Sequence, residues 1–231
     1  MGTTNFPNGV SNNQKQNILG EYKSLDPSLN HEYFDDFDTY AAADWIVTET
    51  GIATQTLADE DGGILLITNA AADDDASFSQ KVGESFLMGL NKPAYFKARF
   101  AVSDATQSDF IIGLQITDTT PLAVSDGIYF KKDDGDALLD FVVTKDSVAS
   151  IATGIATIAD NAYITVGFVY NGISEISYFA GTDSKNPTRL GSLDVTNLPD
   201  DEALTISFGI QNGEAAVKTM SIDYIFATKE R

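Results

Sequence analysis

The sequence predicts an all-β fold, an antiparallel two-sheet β-sandwich of jelly-roll form behind an extended N-terminal arm, and three observations predict it. Apolar residues recur at every second position in many separate stretches after residue 33, which is the period of a strand with one buried face. Turn-forming clusters separate those stretches, among them Asp59-Glu60-Asp61-Gly62-Gly63, Asp73-Asp74-Asp75, Asp133-Asp134-Gly135-Asp136 and Asp200-Asp201-Glu202. No long helical period lies between the strands, which argues against a parallel α/β fold.

The alternation is explicit in six stretches. Phe96, Ala98, Phe100 and Val102 alternate with Lys97, Arg99 and Ala101. Ile112, Leu114 and Ile116 follow, then Leu139, Phe141 and Val143, then Ile164, Val166, Phe168 and Tyr170. Leu204, Ile206, Phe208 and Ile210 alternate with Thr205, Ser207, Gly209 and Gln211. Met220, Ile222, Tyr224 and Phe226 form the last apolar set, with Ser221, Asp223, Ile225 and Ala227 between them. Tyr170-Asn171-Gly172-Ile173 reads as a hairpin in which Asn-Gly supplies positive φ at both turn positions, pairing 163–170 with 173–180. About twelve to fourteen strands result, enough for two packed sheets. No repeat of fixed spacing points to a propeller or β-helix.

Residues 1–32 have a different composition and read as an extended arm; residues 33–231 read as one sandwich domain. The arm is rich in Asn, Gln, Ser and Thr, with apolar residues too sparse for a core of their own. Phe6-Pro7-Asn8-Gly9 is a turn signal, and Asp26-Pro27 is a helix-start signal that predicts one short turn between arm and body. The arm's apolar residues can still dock on a surface, and Phe6, Pro7, Val10, Ile18, Leu19 and Tyr22 are the candidate contacts.

Composition narrows the function. The chain has 231 residues, a formal net charge of −20 and no cysteine. Single all-β domains reach this length, and a chain of this size buries enough surface to fold without disulfides or metals. The acidic field opposes binding to nucleic acid and to anionic membranes. No apolar run approaches a membrane span, and the N-terminus lacks a basic and an apolar signal region. Met1-Gly2 opens like a myristoylation signal, but Phe6 stands where Ser or Thr is required. In Asn186-Pro187-Thr188 the proline blocks glycosylation.

No residue cluster announces a reaction. His31 is the single histidine, so His metal clusters and triads have no basis. Gly83-Glu84-Ser85-Phe86-Leu87 begins like a nucleophile elbow but lacks the closing glycine, and no histidine partner is expected for Ser85. The Glu-x-Asp-x-x-Glu pattern of jelly-roll glucanases is absent, which argues against two carboxylates flanking a sugar bond. The chain is therefore read as a non-enzyme without a cofactor. Asp59, Asp61, Asp133, Asp134 and Asp136 are weak Ca²⁺ candidates, since no Glu closes an EF-hand loop after them; solvated acidic turns are the default reading. Trp45 sits among apolar neighbours and reads as core. Tyr33, Tyr40, Tyr95, Tyr129 and Tyr163 are candidates for partial exposure, as a sugar-stacking platform would require.

Three segments carry a resemblance: YFKARFAVSDATQSDFIIGLQITD, YITVGFVYNG and the closing LTISFGIQNGEAAVKTMSIDYIFAT. Together with Tyr33-Phe34-Asp35-Asp36-Phe37 they resemble the concanavalin A-like/laminin-G jelly roll, over about 85% of the chain. The opening TNFPNGVSN resembles bacteriophage virion proteins, particularly head-associated or decoration proteins. No family site residue carries over to this chain. The resemblance implies a capsid decoration (cement) protein on the exterior of a virion assembled in the host cytoplasm. Its partners would be the major capsid protein or other virion proteins, met through the arm. A homo-oligomer is expected, with a trimer as one form, because capsid sites are symmetric. The alternative is a carbohydrate-binding, lectin-like module, or the receptor-binding part of a tail or appendage.

Overall fold

The computed structural model describes residues 28–59 and 62–231. The arm positions Phe6, Pro7, Val10, Ile18, Leu19 and Tyr22, the Asp26-Pro27 turn and Asp61 lie outside the described residues. Fifteen strands follow in chain order: β1 (Asn30–Asp35), β2 (Trp45–Thr50), β3 (Ala53–Ala58), β4 (Ile64–Asn69), β5 (Ala76–Lys81), β6 (Ala94–Val102), β7 (Ser108–Gln115), β8 (Gly127–Lys132), β9 (Leu138–Lys145), β10 (Val148–Thr157), β11 (Ile164–Tyr170), β12 (Glu175–Gly181), β13 (Thr188–Asp194), β14 (Thr205–Asn212) and β15 (Thr219–Glu230). The helices among the described residues are two single 3₁₀ turns, Ala42–Asp44 and Pro121–Ala123.

All pairings are antiparallel, in two sheets. One runs β13-β12-β11-β6-β15-β4-β3, with β1 also on β15; the other runs β10-β9-β8-β7-β14-β5-β2. β4 pairs with Thr219–Ile222 and β1 with Ile225–Glu230, so the two lie end to end along one side of β15. Sequence neighbours such as β4 and β5 sit in different sheets, which makes the chain cross the sandwich repeatedly.

The inner faces meet in one aromatic-rich core, as the two-residue alternation requires. From β6 it receives Phe96, Ala98 and Phe100, from β7 Phe110, Ile112 and Leu114, and from β14 Ile206, Phe208 and Ile210. Phe208 packs edge-on to Trp45 at 4.9 Å and to Phe37 at 6.2 Å, so the single tryptophan is a core residue.

The last strand departs from its alternation. A bulge between Ile222 and Tyr224 inserts Asp223 into the ladder with β6. A one-residue shift moves every later side chain to the opposite face. Met220 and Ile222 face the core before the bulge, and Ile225 and Ala227 face it afterwards. Tyr224 and Phe226, expected inside, stand on the outer face. The displaced Asp223 pairs with Arg99 on β6.

The Asn171-Gly172 turn also differs from expectation. β11 pairs with 175–181 rather than 173–180. Gly172 alone has positive φ (79°), while the Asn171 side-chain oxygen accepts from the backbone N–H groups of Ile173, Ser174 and Glu175. Asn171 acts as a side-chain cap, which lengthens the loop.

Candidate functional site

The outer face of the seven-stranded sheet carries an apolar cluster of its own and a cleft. Residues directly opposite in an antiparallel ladder share a face. By register, Thr48, Phe78, Gly209, Ile111 and Lys131 form one row across five strands, and Ile46, Gln80, Ser207, Gly113 and Tyr129 form the next. A Cβ on Gly209 would lie 2.5 Å from the Phe78 ring, so the ring is laid against the backbone of its neighbour. Phe78, Ile111, Tyr129 and Val142 make a second apolar cluster on this face, joined by Val124 and Leu122 from the β7–β8 loop.

That loop is strapped down by buried amides. Gln80 Nε2 donates to the Ile116 carbonyl, and its Oε1 accepts from Asp118 N–H. Gln115 Nε2 donates to the Pro121 carbonyl, and Thr144 Oγ1 to that of Ser125. Buried polar groups need such partners, and here the partners fix a loop across a sheet face. Tyr129, a candidate for exposure by sequence, is only 4% exposed because the strap covers it.

Between the strap and the edge strands lies a cleft of about 300 Å³, lined by Thr48, Thr50, Phe78, Thr120, Pro121 and Gln211 together with their neighbours. Its floor is apolar, its walls carry hydroxyls, and none of its lining residues is charged. Gln211 Nε2 donates to Asp74, which orients the amide. The chemistry available is hydrogen bonding to a neutral polar ligand over an aromatic floor.

A second cleft, of about 350 Å³, is acidic, with Asp133, Asp136 and Asp140 on its walls. Each of these carboxylates is engaged by a near neighbour. Asp133 pairs with Lys131, Asp136 accepts from Leu138 N–H, and Asp140 accepts from Gly154 N–H at the β10 bulge. Asp134 receives no part in this cleft, and Asp59 is exposed at the end of β3. Among the described residues no three His, Asp or Glu side chains are arranged to hold a metal ion.

The expectation that Ser85 has no histidine partner is overturned. His31 Nε2 lies 2.8 Å from Ser85 Oγ, because β1 runs beside the end of β15 and places His31 over the 82–88 loop, where its ring meets Phe86 at 4.8 Å. The pair lacks the rest of a nucleophilic site. The N–H groups of Ser85 and Phe86 both donate to the Leu204 carbonyl, which leaves neither for an oxyanion. Among the described residues no carboxylate is bonded to the His31 ring.

The pair does make the β1 junction pH-sensitive. Burial, then the charges of Arg231 and Lys229, hold the His31 pKa below its ordinary value. A histidine with a depressed folded pKa contributes stability that is complete above its unfolded pKa of about 6.5 and is lost as pH falls toward the folded value. The His31 Nε2 and Ser85 amide signals in NMR are expected to broaden or shift together below about pH 6.5, with the remainder of the sheet unchanged. Independent titration of the two would show that the contact does not hold the junction.

No protein-family model matches the chain, and no curated protein matches it in sequence. Solved structures match its fold. Peanut lectin aligns with a TM-score of 0.57 and 13% identity, over 87% of this chain and 97% of the lectin. An endo-1,3-β-glucanase from Streptomyces sioyaensis aligns with a TM-score of 0.61 and 10% identity, over 90% and 99%. The CBM2 module of the evolved Dit protein of Lactobacillus casei BL23 phage J-1 aligns with a TM-score of 0.58 and 8% identity, over 87% and 96%. The fold is a concanavalin A-like jelly roll.

Enzymes and sugar-binding proteins share this fold, so the jelly roll alone does not choose between them. In this jelly roll the loops opposite the β1 end are held by lysines. Lys132, fully buried, donates to the Thr106 carbonyl at 2.8 Å and to that of Ser108. Lys218 bridges Asp104 at 2.7 Å and Glu214 at 2.6 Å. Two ammonium groups thus supply the positive charge at this cluster of carbonyls and carboxylates. Lys132 was not legible as structural, because its partners lie 24 or more residues away; for Lys218 the near partner is Glu214, four positions off, while Asp104 is 114 away.

Proposed function

We propose that this chain is a non-enzymatic, lectin-like module that binds a neutral saccharide in the threonine-lined cleft beside the β7–β8 strap. The observation that carries this reading is the cleft's composition: hydroxyls and one oriented amide around Phe78 and Pro121, with no ionisable side chain on its walls. Sugars present apolar C–H faces and neutral hydroxyls, which such walls complement. Ligand sites of this kind are largely preformed and mostly apolar with a few placed polar groups, and the cleft volume is at the lower end of that class, sufficient for one or two sugar units.

Retained sugar, rather than cleaved sugar, is the expected outcome of binding. Hydrolysis needs a paired acid and carboxylate across the sugar bond, and the cleft offers none. The carboxylates of the acidic cleft are each engaged, Asp133 in an ion pair, Asp136 in its own turn and Asp140 across the β9–β10 pair. The capsid-exterior reading, with the major capsid protein as partner and a symmetric homo-oligomer as the form, rests on the arm sequence and gains nothing from the cleft. The form of a virion role that a sugar cleft supports is the receptor-binding part of a tail or appendage. The likeness to the phage J-1 module favours that form over a cement protein.

An oligosaccharide array followed by calorimetry tests this reading. The parent protein is expected to bind a neutral glycan, and Thr120→Trp or Thr48→Trp, which fill the cleft from exposed or half-exposed positions, should weaken that binding at least tenfold. Equal affinity in the filled variants would place the sugar elsewhere and end the assignment of this cleft.

A further inference from the structure

The β1 end of the sandwich carries a second surface with no counterpart in the ligand cleft. Three backbone hydrogen bonds join its parts: Arg231 N–H to the Leu29 carbonyl, Glu230 N–H to that of Pro93, and Asn91 N–H to that of Gly172. They set two turns side by side, 89–92 and 171–174, next to the point where the described chain begins. Each turn presents an aliphatic side chain at its tip. Leu90 is 71% exposed and Ile173 is 62% exposed, with Leu29 at 61% and Leu87 at 43% on the same rim. Turn tips ordinarily carry Gly, Asn, Asp or Ser. Asn91 and Gly172 do take the positive-φ positions, at 61° and 79°, so the local turn chemistry is satisfied without Leu90 or Ile173. Neither contributes to the core, and grouped exposed apolar side chains mark a contact surface.

The rim also gathers three cations of an acidic protein, Lys92, Lys229 and Arg231, around the exposed Glu230. Burial first, and then the charges of Lys92 and Arg231, hold the Lys229 pKa down, so three cations crowd together. Among the described residues none of the three forms an ion pair.

We propose that the occupant of this rim is the same chain's own N-terminal segment, residues 18–27, with Ile18, Leu19 and Tyr22 seated against Leu90 and Ile173. Two features select it. The segment ends on the rim, at Ser28, and Ile18 is eleven residues from Leu29, within reach of at most about 40 Å of extended chain. A tethered segment binds at a high effective concentration, so weak apolar contacts suffice. The second feature is charge: the segment carries Glu21 and Asp26 against one cation, Lys23, and so brings a net negative charge to Lys92, Lys229 and Arg231. The arm on this reading is first a clasp on its own body, which changes its expected role from a free grapple on a neighbour.

Hydrogen exchange of the full-length protein tests it. Amides of residues 18–25 are expected to exchange at least tenfold more slowly in the parent than in the double variant Leu90→Asp/Ile173→Asp, independently of protein concentration. Both positions are exposed turn tips, so the variant keeps its fold, and unchanged protection of the β6 and β14 amides verifies that. Val217→Asp, at an exposed site on the opposite end, should leave the segment's protection as in the parent. Equal exchange in parent and double variant would overturn the proposal. So would protection that grows with concentration, which would assign the rim to a second copy.

Discussion

Lys132→Met is expected to lower the melting temperature by roughly 5–15 °C, from a loss of about 2–4 kcal/mol when two buried carbonyls lose their donor. Lys132 has no exposed surface, although it directly precedes the acidic turn Asp133-Asp134-Gly135-Asp136. Its ammonium instead crosses to the β6–β7 loop and holds the Thr106 and Ser108 carbonyls. Burial lowers its pKa, while Asp109, Asp134, Asp136 and Asp104 oppose that shift. Methionine keeps the length and removes the donors, so the loss reports the hydrogen bonds rather than a cavity. Lys145→Met is the contrast: Lys145 pairs with the exposed Asp200 and Asp201, and exposed pairs contribute little. Differential scanning fluorimetry on both variants checks the difference. Equal melting temperatures for the two would mean that the buried lysine is not holding the loop.

Phe208→Ala should be the most damaging single truncation, at about 3–5 kcal/mol. The ring is fully buried on β14, in the middle of the seven-stranded sheet, and touches both Trp45 and Phe37. Trp45 comes from β2 at that sheet's edge and Phe37 from the β1–β2 connection, so one ring ties the first segments of the body to its centre. A domain with about 5–15 kcal/mol of total stability loses a large share of it. Denaturant unfolding followed by Trp45 fluorescence measures the loss, and the native emission maximum should shift because the neighbouring ring is gone. Phe208→Leu, which keeps most of the volume, should cost less than half as much.

The fold class was legible because its signal is local. The alternation in Phe96–Val102 and in Leu204–Ile210 depends on neighbouring residues only, and the structure places those residues inside. The bulge at Asp223 was not legible. The apolar pattern of β15 continues smoothly through it, and the partner of the inserted residue, Arg99, lies 124 positions away. The same reason hid the strap. Gln80 and Gln115 look like ordinary polar positions of strands, and their burial exists only because the β7–β8 loop folds back over the sheet.

The candidate site was less legible than the fold. Thr48, Phe78, Thr120 and Gln211 belong to four separate parts of the chain, and no spacing links them. The acidic turns stand out in the sequence because they are contiguous, yet in the structure they mostly satisfy their own backbones. Asp75, for example, accepts from Ala72 N–H, and Asp136 from Leu138 N–H. The Ser85–His31 pair escapes sequence reasoning because the two residues are 54 positions apart, and only the placement of β1 beside β15 brings them together.

An NMR titration with a bound oligosaccharide, followed by recovery of the ligand, decides whether the strapped cleft holds a neutral sugar and leaves it intact. Thr48, Thr50, Thr120 and Leu122 signals should shift saturably, Leu138 and Thr153 signals at the acidic cleft should stay in place, and the sugar should return unchanged. Shifts confined to the acidic cleft would place the sugar there instead, and a shortened sugar would make the molecule an enzyme.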